Sequence, residues 1–556
     1  MTGATARRQV FAAGAALLMA ASGILTPSAR AQVSPATVPS GVLEQNRRNQ
    51  QRIEQQQAPQ PQKGPAVTAP APPLSEVSPP GGPKFLLKSV EFDPSAFLSK
   101  AELDAIAAPY VGRNVDLSSV QSIVKAVNDL YDSRGIVTAS ALLPPQNLKD
   151  GHLHISLIEG KLGEIKVDGA KINSTDYIKG SIGQKPGEVL DDNMLKQRVA
   201  EFNWTNDAQI RALLQPGAQF GQTDVVLGVT EPASDTLQIF SDNQGVTSTG
   251  AVEGGLYYRK YGLFGIDDRF TFYGTHSEDN GSDAANLSYN LPVDHSGGRI
   301  GVSYSGSVIK IIEGPFQPLD VTGTSQVGAI SFSHPLWADD IWLVLGNFSE
   351  SLGTSNSDQA QVQILNDRTW KETPGFTFAR RAEDVSFSIT PAVSFAHSML
   401  AGTAGIQEYE LYNGTASANV QLPLDFSATA SGAYQVASQQ VLPGDQLFQI
   451  GGPTTVRGYP TNAAAGYSGY YVNLEVHRSW TGPFAGLDTF ALLDAGSVWA
   501  VDPRVTTMTS AGVGVRWTMA NRLTTELAAA FPLRQAVTPQ PYYALYFKVT
   551  GHLLGP

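Results

Sequence analysis

The feature that most constrains this chain is a long stretch, from about residue 236 to residue 549, in which helical periodicity is absent. Short segments there, such as 299–310, 385–395 and 470–480, alternate apolar with small or polar residues, and turns rich in Gly, Asn, Asp and Ser separate them. Strand side chains alternate between two faces, so this pattern predicts strands with one apolar and one polar face. Many such strands of about ten residues predict an outer-membrane β-barrel, with a large soluble β-sandwich or β-helix as the alternative.

Aromatic residues near the ends of these segments suit the girdles that surround a barrel at the two membrane interfaces. They are Tyr257, Tyr258, Trp337, Trp342, Trp480 and Trp499. Beyond the N-terminus, no apolar run approaches the about 20 residues that a spanning helix needs. Because only helices and closed barrels satisfy every backbone polar group in lipid, a membrane location would require the barrel.

The N-terminus predicts export from the cytoplasm. Residues 1–31 contain the basic pair Arg7 and Arg8, an apolar run over 10–21, and a small-x-small cleavage site at 29–31, which are typical of a secretory signal. The chain has 0 cysteines, which excludes a disulfide framework, a thiolate nucleophile and a cysteine metal site.

Two segments of low complexity come next. Within residues 32–57, the stretch 41–57 is rich in the helix formers Gln, Glu and Arg and predicts a helix. Its apolar residues are only Val42, Leu43 and Ile53. Such a polar helix needs a polar enclosure, and a disordered leader explains the pattern equally well. Residues 58–83 are proline-rich and predict an extended, semi-rigid tether.

Residues 84–159 and 160–232 predict two consecutive α+β units with the same order of elements: strand, helix, helix, strand, strand. In the first unit, Ser99 and Glu102 form a capping box pattern, and apolar residues recur at helical spacing over 116–133. Two copies on a shared period indicate an internal repeat.

The stretch 451–460, GGPTTVRGYP, carries one charge, Arg457, among small and aromatic residues. Gly458 follows it and allows a backbone conformation that a larger residue disfavours. A lone arginine in such surroundings needs water, a partner or a functional reason to be there.

This combination of parts resembles a known family. A signal, a Gln-rich helix, a proline-rich tether, two POTRA-like units and a barrel containing Val456, Arg457, Gly458 and Tyr459 are similar to the TpsB transporters of two-partner secretion (the ShlB/FhaC/HecB type), within the Omp85 superfamily. The sequences YDSRGIV, LPPQ and DGHLHI resemble the end of the first POTRA domain of that family. The resemblance implies a sixteen-stranded antiparallel barrel over 233–556, with the helix as a candidate plug and the VRGY loop folded into the lumen.

In that family the arginine pairs with an aspartate of an inner strand, in the motif aromatic-x-Asp-x-Gly. Here Asp494 precedes Gly496, Leu492 occupies the aromatic position, and Phe490 lies one step further out. Strand alternation places Phe490, Leu492 and Asp494 on one face, and the other face is apolar and suits lipid. We therefore expect Asp494 to point inward and to form an ion pair with Arg457.

The resemblance also implies a function. A large secreted exoprotein, such as a haemolysin or an adhesin, would pass from the periplasm to the cell surface without ATP, for which the chain has no binding motif. The exoprotein would bind the POTRA units, whose open strand edges can accept an extended segment. Outer-membrane lipid and periplasmic chaperones are further candidate partners, and no cofactor is expected. With Lys+Arg 38 against Asp+Glu 50, there is no basic excess to predict nucleic-acid binding.

Three alternatives stay open on the sequence. An assembly or insertion factor of the same superfamily would more often have three or more POTRA units, and a passive porin or receptor would not explain the repeat. An enzyme within the barrel is disfavoured, because the chain lacks HExxH, GxSxG and P-loop motifs.

His152 and His154 share one strand face but lack an obvious third metal ligand.

Overall fold

The computed structural model describes residues 39–57, 64–69, 83–314, 316–400, 405–538 and 540–555. The predicted signal over 1–31 and most of the predicted tether over 58–83 lie outside these residues. Among the described helices, none is long and apolar enough to cross a membrane.

The described chain begins with helix α1 (Ser40–Gln57) and the short strand β1 (Val67–Thr68). Two α+β units then follow. The second has the predicted order of elements, and the first has one additional short strand at its start and another between its two helices. The first consists of β2 (Phe85–Leu86), β3 (Ser89–Phe92), α2 (Lys100–Ala107), β4 (Asn114–Val115), α3 (Leu117–Ser133), β5 (Ala139–Leu142) and β6 (His152–Glu159). The second consists of β7 (Lys161–Asp168), α4 (Thr175–Gly180), α5 (Asp192–Thr205), β8 (Gln209–Pro216) and β9 (Gln222–Thr230).

Each unit has its own apolar core between helices and sheet. In the first, α3 begins at its cap Asp116 and buries Val120, Ile123 and Val127 on one face, at the spacing of a helix. The capping box predicted at Ser99 is present, with Glu102 bonding back to the Ser99 backbone. In the second unit, the core joins α4 and α5 to the sheet of β7, β8 and β9.

Strand β1 extends the sheet of the second unit, whose strand order is β1-β8-β9-β7. It runs parallel to β8, with Val67 opposite Ala212, and the Ala212 N–H donates to the Ala66 carbonyl over 2.9 Å. The edge of this sheet at β8 is therefore covered over two residues by the chain's own linker.

Sixteen antiparallel strands close the barrel, which confirms the predicted fold class. They are β10 (Asp235–Asp242), β11 (Glu253–Tyr261), β12 (Arg269–Ser277), β13 (Ser282–Pro292), β14 (Arg299–Lys310), β15 (Val321–Ala338), β16 (Trp342–Gln359), β17 (Val362–Arg381), β18 (Val385–Leu400), β19 (Gln407–Leu422), β20 (Phe426–Ala437), β23 (Ser468–Ser479), β24 (Leu487–Trp499), β25 (Val505–Met519), β26 (Leu523–Pro532) and β27 (Ala544–Leu554). The first and last strands, β10 and β27, pair with each other and complete the circle. Two short strands, β21 (Phe448–Ile450) and β22 (Ala464–Gly466), form a hairpin in the connection between β20 and β23.

The second α+β unit is fixed to the turns at one end of the barrel, called the near end. Trp204 Nε1 donates to the Asp339 carbonyl over 2.7 Å, and Arg269 forms an ion pair with Asp207 at 3.1 Å. The backbone N–H of Asp207 donates to the carboxylate of Asp267 over 2.8 Å. These contacts join the unit to the turns that precede β12 and β16, so the connection containing β21 and β22 lies at the opposite, far end.

Side chains of the barrel wall alternate between the lumen and the outer surface. Three of the predicted girdle residues, Trp337, Trp342 and Trp480, are exposed on the outside. The prediction for Tyr257 is wrong: this residue is fully buried and packs with Phe240 inside the barrel. Adjacent aromatic residues point to opposite faces of a strand, and sequence alone does not tell which face is the lumen.

Candidate functional site

The connection between β20 and β23, called the lumen loop (438–467), folds back into the barrel. Within it, Val456, Arg457 and Tyr459 are all buried. Val456 and Tyr459 pack in an apolar cluster with Phe448 and with Met508 of β25. The loop is thus held against the barrel wall near its tip.

Arg457 meets Asp494 of β24 in a bidentate contact. Its Nε donates to Asp494 Oδ2 over 2.7 Å, and its Nη2 donates to Asp494 Oδ1 over 2.7 Å. The Arg457 backbone N–H also donates to Oδ2, over 3.0 Å. Asp494 is fully buried, and two parallel charge-assisted bonds are a strong and directional way to satisfy its carboxylate. Asp494 points inward, as strand alternation predicts.

A second carboxylate, which the sequence reasoning missed, shares Arg457. Nη1 of Arg457 donates to Glu475 Oε1 of β23. Asn473, on the same face of β23, donates to Asp494 Oδ1 over 2.8 Å. Polar residues alternate along β23 at Asn473, Glu475 and His477, and this pattern indicates which face of the strand points inward. It does not indicate that Glu475 is the residue that pairs with Arg457.

The network continues from Glu475 toward the near end of the barrel. His477 Nε2 lies 2.9 Å from Glu475 Oε2, and His477 Nδ1 lies 2.7 Å from Asp488 Oδ1. The imidazole stacks on the ring of Phe490, with centroids 5.2 Å apart. Leu492 and Phe490 also form an apolar cluster with residues of β26, so these two residues border the charged groups.

Two glycines provide space and backbone freedom at the contact. A Cβ on Gly496 would lie 3.0 Å from Val456 Cγ2, closer than packed atoms normally approach, so glycine lets the loop approach the strand. Gly458 has φ +91°, a conformation that side-chain-bearing residues rarely adopt. Its N–H donates to the Tyr546 hydroxyl over 2.9 Å, and the Tyr459 hydroxyl donates to the Arg534 carbonyl over 2.8 Å.

Helix α1 lies inside the barrel. At its start, the Ser307 hydroxyl of β14 donates to the Pro39 carbonyl over 3.1 Å. Further along, Asn46 Nδ2 donates to Thr275 Oγ1 of β12 over 2.8 Å, and Ile53 packs against the cluster that contains Tyr257. The helix therefore runs from the far end toward the near end.

The face of α1 that contacts the barrel is largely polar. Four of its side chains are buried although they are uncharged and polar: Gln45, Asn46, Asn49 and Gln50. Only Val42, Leu43 and Ile53 contribute apolar packing, as the sequence indicates.

Helix and lumen loop also contact each other. Arg52 Nη1 donates to the Pro453 carbonyl of the loop over 3.1 Å. Arg48 lies over the ring of Tyr471 on β23, with its Cζ 5.4 Å from the ring centroid. The two segments thus occupy the lumen together, and each limits the movement of the other.

The two histidines of the first α+β unit lie in a hydrogen-bonded surface cluster. His152 Nδ1 lies 2.7 Å from Ser89 Oγ, and His154 Nε2 lies 3.3 Å from Asp93. The hydrogen bond from the Ser156 hydroxyl is the main cause that lowers the pKa of Asp93 below its usual range. In the part of the chain that the structure describes, no three His, Asp or Glu side chains form a group suited to a metal ion.

A closed barrel with an inward-folded loop, an enclosed helix and two attached α+β units is the architecture of an outer-membrane transporter with POTRA domains. The family model "Haemolysin secretion/activation protein ShlB/FhaC/HecB" matches residues 221–517, and the model "POTRA domain, ShlB-type" matches residues 85–160. The chain belongs to the ShlB/FhaC/HecB family of outer-membrane transporters in two-partner secretion.

Curated relatives agree with this assignment, and a solved structure shares the fold. The chain is 25% identical over 480 residues to "Outer membrane transporter CdiB" of Dickeya dadantii, covering 83% of this chain and 85% of that protein. It is 22% identical to "Heme/hemopexin transporter protein HuxB" of Haemophilus influenzae, covering 67% of this chain and 68% of that protein. The solved structure "CdiB from Escherichia coli" superposes with a TM-score of 0.71 at 20% identity, covering 94% of this chain and 100% of that one.

Family membership fixes the location and orientation of the barrel. The protein is a secretion transporter of the outer membrane, and this assignment agrees with the family model and the relatives better than an assembly factor does. Its POTRA units lie in the periplasm. The near end of the barrel is therefore periplasmic, and the far end is extracellular.

Proposed function

We propose that a partner exoprotein crosses the membrane through the barrel lumen, and that α1 and the lumen loop close this path at rest. The observation that carries the proposal is that both segments lie in the lumen and contact several strands. Asn46 contacts β12 and Pro39 contacts β14, while Arg457 contacts β23 and β24 on another part of the wall. Transport, rather than catalysis, is the proposed activity.

Helix α1 is suited to reversible closure. Its buried face is polar and would be hydrated outside the barrel, so release exposes little apolar surface. A net intramolecular hydrogen bond contributes only about 1 kcal/mol, because water replaces it on release. A few such bonds hold the helix at rest and still allow it to leave when a client chain enters.

The Arg457 contact is the proposed anchor of the lumen loop. An arginine in a membrane barrel is stable when it faces the lumen and is paired, and Arg457 meets both conditions through Asp494 and Glu475. Removing one partner of a buried pair costs about 3–5 kcal/mol, because the other charge is left uncompensated. The anchor therefore holds the loop in one position until a client displaces it.

Client recognition is proposed at the β8 edge of the second POTRA unit. An extended client segment can pair with this edge by β-augmentation. The edge is covered at Val67 and Thr68, only two residues of linker, so a longer client strand would make more backbone hydrogen bonds than it displaces. Periplasmic chaperones would deliver the client unfolded, since only an extended chain can form this pairing.

The test is secretion by an Arg457→Ala variant produced together with its exoprotein. We expect a barrel that inserts in the outer membrane at the wild-type level but secretes at least about tenfold less exoprotein, given the loss of a buried pair. Arg478→Ala is the matched control, because Arg478 lies on the outer face of β23 over the Trp480 ring, away from the network. Full secretion by the Arg457 variant would refute the proposed role of the anchor.

A further inference from the structure

Both ring nitrogens of His477 face carboxylate oxygens. Nε2 lies 2.9 Å from Glu475 Oε2, and Nδ1 lies 2.7 Å from Asp488 Oδ1. An ionised carboxylate accepts hydrogen bonds and does not donate them, so each ring nitrogen must carry a hydrogen to make its contact. The geometry therefore requires the doubly protonated, positively charged imidazolium.

In the described residues, the titratable groups that contact the imidazole of His477 are two carboxylates. On its own strand it faces Glu475, and on β24 it faces Asp488, while the residue opposite it on β20 is Ser427, which does not titrate in this range. Three arginines act on these carboxylates: Arg457 and Arg52 of α1 attract Glu475, and Arg516 of β25 attracts both Glu475 and Asp488. The imidazolium thus bridges the two carboxylates, and each has a further donor: Arg457 for Glu475 and the Ser479 hydroxyl for Asp488.

Glu475 divides its two oxygens between His477 and Arg457. Oε2 faces the histidine, and Oε1 accepts from Arg457 Nη1. The Glu475 side chain is 22% exposed, so without the imidazolium its Oε2 would turn to water, and Glu475 would be held less firmly against the arginine. The histidine is buried and stacked on Phe490, and it supplies the fixed end of this contact.

We infer that His477 is a positioning residue of the loop anchor: its positive charge holds Glu475 against Arg457, and loss of its proton loosens the lumen loop. The inference rests on the proposed role of Arg457 as that anchor. A neutral imidazole keeps one N–H, so one of its nitrogens would present a lone pair to a carboxylate. The chain of alternating charges Asp488, His477, Glu475 and Arg457 would then be broken, and alkaline pH would favour release of the loop.

The test is the pH profile of pore opening for full-length protein in planar bilayers, recorded over about pH 6 to 10. For wild type we expect the open fraction to rise about tenfold with pH, since charge-assisted hydrogen bonds of this kind are lost. His477→Gln should be as open at neutral pH as wild type is at alkaline pH, and its profile should be flat. His276→Gln is the control, because His276 pairs with Asp283 on the exposed outer surface.

An unchanged pH profile in His477→Gln would overturn the inference. A double variant with Glu475→Gln gives a second measurement: it should open no more than Glu475→Gln alone, because both changes remove the same contact. Fully additive opening would also overturn the inference. If Arg457→Ala secretes normally, the proposed anchor itself fails; if Arg457→Ala is defective while His477→Gln keeps the wild-type profile, only the role of His477 fails.

Discussion

Replacing Arg457 by lysine separates the contribution of charge from that of geometry. The guanidinium makes three side-chain hydrogen bonds, two to Asp494 and one to Glu475. Lysine keeps the positive charge but lacks the planar fork, and its ammonium cannot reproduce the bidentate contact. We expect the loss of about two charge-assisted bonds, partly replaced by water, to weaken the anchor by about 3 kcal/mol. This corresponds to about a hundredfold rise in the detached fraction of the loop.

The absence of cysteine from the chain makes this rise directly measurable. Thr454→Cys places one thiol in the loop at a position that is 4% exposed in the closed arrangement. Its rate of reaction with a membrane-impermeant maleimide on intact cells then reports the detached fraction. We expect labelling about a hundredfold faster with Arg457→Lys, and no change with the control Arg478→Lys. Equal labelling rates for arginine and lysine at position 457 would refute the argument, because charge alone would then suffice.

Three further predictions concern the fit of the loop, the helix and the linker. Gly496→Leu leaves Arg457 unchanged but places a side chain in the space that Val456 occupies. The overpacking should destabilise the docked loop by about 1–3 kcal/mol and so speed labelling at the same reporter cysteine. A labelling rate equal to that of wild type would contradict the close fit. Deleting residues 40–57 should raise ion conductance in planar bilayers, and unchanged conductance would show that α1 does not obstruct the lumen. Replacing both Val67 and Thr68 by proline removes the pairing of β1 and should strengthen binding of an extended peptide to the full-length protein, measured by fluorescence anisotropy; equal affinity would exclude competition at β8.

Strand alternation predicted a β-barrel, with a β-sandwich or β-helix as the alternative, and the inward direction of Asp494, because these depend on the period of two residues. The number of sixteen strands came from the resemblance to the family. Strand alternation could not predict Glu475 as the second partner of Arg457. That contact depends on how far the loop enters the lumen and on the register of β23 against β24, where Asn473 lies opposite Asp494. Neither quantity leaves a local pattern in the sequence.

Other misses have different physical causes. Strand β17 (Val362–Arg381) alternates only weakly in its sequence, because polar and charged residues such as Lys371 and Glu372 interrupt its apolar positions. Tyr257 and Tyr258 are adjacent aromatic residues, so period alone could not assign one to the lumen. Strand β1 contains two residues, and its pairing is set by the edge of β8 rather than by its own composition.

The pairing of β1 with β8 also sets the length of the linker that tethers α1 to the rest of the protein. While β1 is docked, only residues 58–66 join the helix to a fixed point, a span of at most about 30 Å, close to the length of the helix itself. If a client displaces β1, the free segment extends to residue 84 and can span about 90 Å. The local concentration of the helix at the pore mouth would then fall steeply, as it does for any ligand on a lengthened tether. A client strand bound at the β8 edge would thereby slow the return of the helix for as long as it stays bound.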